Sequence, residues 1–274
     1  MKAGIGIDKT KNITAGLRPG DIYWVCWREL KKFFGQKARI LMTVVQPLIW
    51  LLFMGNALTG LTSNPVAAKM IGVDNYLVFM TPGIMVMTSL FGSIFGGMSV
   101  VWDRRFGYLN KMLAAPISRA AIPMGKMLAA AIQSIMQVTI IVVIAMFLGV
   151  RIASGPIGFL LIIVIVFLFS FGVSGISLSL GAVIHSHETL MVIVNFLTMP
   201  LMFASNAMFP VEAMPDWLQT IARWNPLSYA VGPLRELVGN GLWSASIGKG
   251  ILAMLIFAIV MSLVAARQFR RSIA

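Results

Sequence analysis

Six long, predominantly apolar stretches dominate the sequence, approximately Ile40 to Leu61, Tyr76 to Val101, Met127 to Val150, Ile157 to Ile184, Thr189 to Met208 and Ile247 to Ala266. Each matches the roughly 20 helical residues needed to cross the ~30 Å hydrocarbon core of a bilayer. Continuous apolar runs specify helices, because strands of a membrane barrel alternate polar and apolar residues over about ten positions. The chain therefore reads as all-α, a polytopic membrane protein with six transmembrane helices. The spans fill more than half of the 274 residues, which leaves no room for a separate soluble domain of ordinary size. A single transmembrane domain, 1–274, is expected, with a cytoplasmic tail and interfacial helix (1–39), a six-span bundle (40–266) and a second cytoplasmic tail (267–274). Composition agrees: only 11% of residues are charged, under half the share in a typical soluble domain, and an ordinary soluble enzyme is excluded.

The formal net charge of +13, from 22 Lys and Arg against 9 Asp and Glu, first invites a nucleic-acid reading. Its distribution removes that reading. Cationic residues beside spans mark the cytoplasmic side. With both termini inside, seventeen basic residues lie in the N-terminal segment, the loop after span two and the C-terminus, against Lys69, Arg151, Arg223, Arg235 and Lys249 outside. Counting the acids on each side leaves +12 inside and +1 outside. A multi-pass protein of the cytoplasmic membrane with both termini cytoplasmic is expected, with membrane lipids and no nucleic acid as surroundings. The polar, Gly-rich first 21 residues do not read as a signal peptide. Cys26 is the single cysteine, so no intrachain disulfide can form, and burial as a small apolar group is its expected role.

Three elements lie outside the spans. From Asp21 to Lys37, apolar and aromatic residues including Trp24, Trp27 and Phe33 recur at helical spacing among Arg28, Lys31 and Lys32. That is the pattern of an interfacial helix with a basic face toward lipid headgroups, and Asp21 is placed to cap it. In the loop after span two, Gly107 to Ala115 predicts a short helix stopped by Pro116. Tyr108, Leu109, Met112 and Leu113 fall on one face of it, either as a docking peg for a partner or packed on this protein's own helix ends. After span five, Phe209 to Trp243 predicts two amphipathic helices broken at Asn225-Pro226 and dipping into the membrane. Such a segment, with Trp217, Trp224, Tyr229 and Arg235, either closes the outer mouth of a pathway or anchors at the interface.

No Asp, Glu, Lys, Arg or His falls inside the core of a predicted span. Proton-driven transporters, intramembrane proteases and voltage sensors depend on such groups and are disfavoured. Neutral polar residues at depth, Gln46, Asn56, Gln133, Gln137, Asn195 and Asn206, serve either as bonds between helices or as the lining of a pathway. Glycines in spans two and four, such as Gly92, Gly96, Gly97, Gly172, Gly175 and Gly181, permit close helix approach. His185, His187 and Glu188 lack the partners for a metal shell. No G-x-x-x-x-G-K-[ST] phosphate loop occurs, since Gly125-Lys126 is followed by Met127. No catalytic, cofactor or metal residues are expected in this chain.

The motifs resemble those of the ABC-2 type permeases, the membrane halves of ATP-driven exporters, and the drug-resistance and lipooligosaccharide-export branch in particular. The resemblance rests on Gln46-Pro47-Leu48-Ile49-Trp50, on Thr81-Pro82-Gly83, and most specifically on Asp103-Arg104-Arg105-Phe106-Gly107-Tyr108-Leu109 followed by Pro116-Ile117-Ser118-Arg119 and Gly125-Lys126. Asn225-Pro226-Leu227-Ser228-Tyr229 with Arg235 adds the motif ahead of the last span. Arg105 departs from the family, which usually has a second acid at that place.

The resemblance implies that the segment around Asp103, Arg104, Gly107, Tyr108, Leu109, Met112, Leu113, Pro116, Ser118 and Arg119 is a coupling helix docking on a cytoplasmic ABC ATPase. ATP and Mg would be bound by that partner, and a second permease copy, identical or related, would complete twelve spans. An amphiphilic cargo, a drug, lipid or lipid-linked glycan, fits an uncharged pathway. Replacing Leu109 and Met112 with Asp is then expected to uncouple ATP hydrolysis from transport with the fold intact. An ATP-independent secondary transporter or channel, or a membrane-embedded lipid-carrier transferase, is the alternative.

Overall fold

The computed structural model describes residues 18–62, 76–211, 214–242 and 244–272, without the side chains of residues 39, 44, 54–62 and 272. Among the described residues the chain forms ten helices and no strand. They are α1 (Pro19–Phe34), α2 (Lys37–Thr62), α3 (Tyr76–Arg105), α4 (Tyr108–Ala114), α5 (Ala121–Phe147), α6 (Gly155–Val183), α7 (His187–Phe203), α8 (Asp216–Trp224), α9 (Pro226–Gly239) and α10 (Ala245–Ser272).

Four of these, α3, α5, α6 and α10, are long and apolar enough to cross a membrane. In α2, which covers the first predicted span, Ile40–Phe53 forms a shorter apolar stretch. The fifth predicted span is shorter than expected: α7 has 17 residues and ends at Phe203 rather than Met208, at the lower end of the lengths that cross a bilayer. The reason is the side chain of Asn225. Its amide donates to the carbonyls of Leu201 (2.7 Å) and Ala204 (2.6 Å), while its Oδ1 accepts from the backbone of Leu227 at 2.9 Å. One buried residue thus finishes α7 and starts α9, whose first position is Pro226, the preferred place for proline in a helix.

The most central helix is α6, packed against α3, α5 and α10, with Ile162, Ile165, Val166 and Phe169 sealed in the core. Close approach to α3 depends on small residues. The Ser177 hydroxyl donates to the Ile94 carbonyl at 2.6 Å, and a Cβ added to Gly97 would overlap the backbone and side chain of Ser177. Removing side-chain bulk is how helices reach each other where lipid offers no hydrophobic drive.

The two helices after α7 divide. The exposed Trp217, Ile221 and Trp224 of α8 form an apolar face, as expected of an aromatic anchor. By contrast, α9 does not lie at an interface: Leu227, Ala230, Val231, Leu234, Leu237 and Val238 are buried in the main core. Its far end is held by the turn before α6, where the backbone of Ala153 and the hydroxyl of Ser154 donate to the carbonyls of Val238 and Leu237. Arg235 reaches from α9 over the ring of Phe79 on α3, 3.8 Å from its centroid, and donates to the Asn206 carbonyl at 2.8 Å.

Because the α3–α6 contact has no slack at Gly97, Gly97→Ala is expected to cost about 1–3 kcal/mol of overpacking. A lowered midpoint for thermal unfolding in detergent checks this; an unchanged midpoint contradicts the packing described.

Candidate functional site at the basic end of the bundle

The ends of α3 and α6, the starts of α5 and α7, and the whole of α1 and α4 gather at one end of the molecule. The inner face of α1 consists of Val25, Cys26, Glu29 and Phe33, spaced to form one helical stripe. That stripe lies on α5 at Gly125, where an added Cβ would come within 2.6 Å of Val25 Cβ and 2.8 Å of the Ile22 carbonyl. Burial, reinforced by the nearby Glu29 charge, pushes the Cys26 thiol up, consistent with an inert packed residue. On the outer face Tyr23, Trp24, Trp27 and Phe34 are exposed, the amphipathic arrangement expected of an interfacial helix.

At the centre of this end stands Lys126, 2% exposed. Its Nζ donates to Glu29 Oε1 on α1 (2.8 Å), Asp103 Oδ2 on α3 (2.5 Å) and Ser99 Oγ on α3 (2.8 Å). All three protons of the ammonium are therefore directed at oxygen, the condition for burying a charge. Arg28 closes the cluster from outside: its guanidinium donates to both oxygens of Asp103 at 3.1 and 3.3 Å and to Glu29 at 2.7 Å. It also lies over the Tyr108 ring, 5.4 Å from the centroid, and contacts Met112 Sδ at 3.9 Å. Lys32 stands 3.6 Å from Asp103.

Several sequence expectations change here. Arg28 and Phe33 face the bundle instead of lipid headgroups; Trp24, Trp27 and Lys31 keep an outward position and Lys32 lies at the rim. Asp21 does not cap α1, whose first turn begins beyond Arg18; its carboxylate accepts instead from the Ser118 backbone at 3.3 Å. Asp103, 1% exposed, is enclosed by this chain's own cations rather than presented at the surface. Arg104 turns to the end of α6, donating to the carbonyls of Ala182 (2.8 Å) and Ile184 (3.5 Å), a favourable place for a cation.

The short helix after α3 starts one residue later than predicted, at Tyr108, and ends at Ala114. It turns off α3 at Gly107, whose φ of +71° suits glycine. Leu109 is 2% exposed in a second core with Val100, Ile122, Met127, Leu178, Ala265 and Phe269, and Met112 and Leu113 pack against that core. That face packs on this protein's own helix ends. Tyr108, Asn110, Lys111, Ala114 and Pro116 face outward; Ser118 is buried and Arg119 half-buried. Replacing Leu109 with Asp would put a charge into this core, so an intact fold is not to be expected of that change.

Cavities open along the bundle among the described residues, two of which concern the predicted polar residues. One of about 460 Å³ at the basic end is lined by Lys32, Gln133, Phe95 and His187. The other, about 220 Å³, lies between α2, α3 and α5 and is lined by Gln46, Trp50, Phe95 and Gln137. Of the other polar residues expected at depth, Asn195 faces outward, Asn206 joins Arg235 near α9, and the side chain of Asn56 falls outside the described residues.

Glu29, Ser99 and Lys126 were the residues sequence reasoning passed over. The available signal was a basic residue one step before an apolar run, with Glu29 and Asp103 among the five acids on the same side. Lys126→Met is expected to cost about 3–5 kcal/mol, because it strands Glu29 and Asp103 without their buried counter-ion. A double-mutant cycle with Asp103→Asn, read by thermal unfolding, is expected to show strong coupling. Additive effects would mean that the two residues do not act together.

Comparison with known proteins follows the same geography. A sequence profile of the ABC-2 type transporter family matches residues 20–238, from α1 to the end of α9. A protein of Cyanophora paradoxa named transport permease ycf38 is 31% identical over 249 residues, 84% of each chain. The namesake in Porphyra purpurea is 36% identical over 208 residues, 76% of this chain and 70% of that one. The daunorubicin resistance ABC transporter permease DrrB1 of Streptomyces coeruleorubidus is 26% identical over 223 residues, 81% of this chain and 76% of that one. The profile takes in the charge cluster, α4 and the Asn225 junction together, and this chain belongs to the ABC-2 type transporter family.

Proposed function

We propose that this chain is the membrane subunit of an ATP-driven exporter of amphiphilic molecules, and that α4 is its contact with a separate ABC ATPase. The observation that carries the reading is the mounting of α4. Seven residues are too few for a helix to persist alone, yet α4 is fixed to a core through Leu109 and to α1 through Arg28, with Asn110, Lys111 and Ala114 facing outward. A short helix fixed on one side and free on the other is suited to receive a push and pass it to α1, α3 and α5 through the Lys126 cluster.

In this reading the basic end faces the cytoplasm, the ATPase binds ATP and Mg, and a second copy or a similar chain completes the pathway. Relatives named as daunorubicin and doxorubicin resistance permeases support an amphiphilic cargo moved outward. The 274 residues contain no phosphate-binding loop of the G-x-x-x-x-G-K-[ST] type, in keeping with energy supplied by a partner.

The test uses the outward face alone. Lys111→Glu with Ala114→Glu is expected to abolish co-purification with the ATPase and to reduce ATP-dependent transport in vesicles at least tenfold. The unfolding midpoint should stay unchanged, because both positions are exposed. Full transport by this variant, or transport by the wild-type chain without ATPase and ATP, overturns the reading.

A further inference from the structure

We infer that the cavity between α2, α3 and α5 is a binding site for the hydrogen-bond-donating group of an amphiphile, with Gln137 as the acceptor. The inference rests on the permease reading and adds the chemistry of the cargo. Gln137 sits on α5 in the middle of the bundle, 5% exposed, and its Oε1 has no hydrogen-bond partner among the described residues. Neighbouring polar groups at the same α3–α5 contact are satisfied: Ser89 donates to Met85, Ser93 donates to Ser89 and lies 3.4 Å from the Ser134 hydroxyl. An amide acceptor buried without a donor is costly in a low-dielectric interior. A ligand that brings the donor removes that cost.

The surroundings are shaped for it. Gly92 on α3 faces the amide, and a Cβ there would stand 2.9 Å from Oε1. The glycine therefore makes the space in which the amide lies against α3. Binding requires a turn about the terminal side-chain torsion, which is soft for an amide, to bring Oε1 from Gly92 to the ligand. Pro47, Trp50, Phe91 and Phe95 supply apolar lining beside Gln46 and Thr88, with the three rings partly exposed at the cavity's mouth. Among the described residues no charged side chain lines this cavity, so it suits a neutral donor on an apolar body rather than an ion.

The approach is also built in. Phe95 lines both this cavity and the larger one at the basic end, and Gln133 in the larger cavity is one helical turn from Gln137. Together the two cavities reach the roughly 300–1,000 Å³ typical of small-molecule sites. An amphiphile taken up at the basic end passes Gln133 and Phe95 before its donor meets Gln137.

The experiment uses the full chain in lipid nanodiscs, without ATPase or ATP. The probes are 9,10-dibromostearyl alcohol and its methyl ether, which share a body and differ in one O–H donor. Bromine quenching of Trp50 fluorescence is read as the difference between wild type and Trp50→Phe. The alcohol is expected to quench at about tenfold lower concentration than the ether, the ratio that one net hydrogen bond to a buried acceptor supplies. Gln137→Met, which keeps the side-chain length and removes the acceptor, is expected to erase the preference. Equal quenching by the two probes, quenching independent of Trp50, or a preference that survives Gln137→Met overturns the proposal. Because binding is measured without ATP, a preference seen alongside failed ATP-driven transport condemns the permease reading and leaves the site. The reverse result condemns the site alone.

Discussion

A single buried ammonium organises one end of this protein. Lys126 meets Glu29 of α1 and Asp103 of α3 from its place near the start of α5, so three helices far apart in sequence share one counter-ion. Desolvating such a group is unfavourable, and only complete pairing makes it tolerable. The arrangement therefore specifies a geometry more than it adds stability: each carboxylate must be in place or the others are left stranded. The short α4 depends on it as well, since Arg28 joins the cluster to Tyr108 and Met112.

A second constraint acts at the other end of the bundle. Asn225 terminates α7 and opens α9 with one amide group, and α9 is then drawn into the core. The two ends differ in kind. One is held by a buried charge cluster beside the larger cavity, the other by the Asn225 amide, the contacts of Arg235 and apolar packing, while the middle keeps a smaller cavity beside Gln137, whose Oε1 has no partner among the described residues.

Much of this was legible in the sequence. Apolar runs located α2, α3, α5, α6 and α10 because length and hydropathy are local properties, and the break at Asn225-Pro226 separated α8 from α9. Whatever depended on distant partners was not legible. Periodicity placed Leu109, Met112 and Leu113 on one face of α4 but could not show that Phe269 and Leu178 cover it. Lys126 read as one more cation marking a side, because nothing near it in sequence reveals the acid on α1. The burial of α9 escaped notice since Arg235, Glu236 and two glycines dilute its apolar face.

The spacing of the charge cluster along the chain also orders its assembly. Glu29 and Lys126 are 97 residues apart, and chains emerge from the ribosome N-terminus first. When α1 is made, its inward carboxylate has no buried cation to meet, because Lys126 is the last of the three partners to be synthesised. The brace that α1 forms against α3 and α5 is therefore completed by its latest-made member.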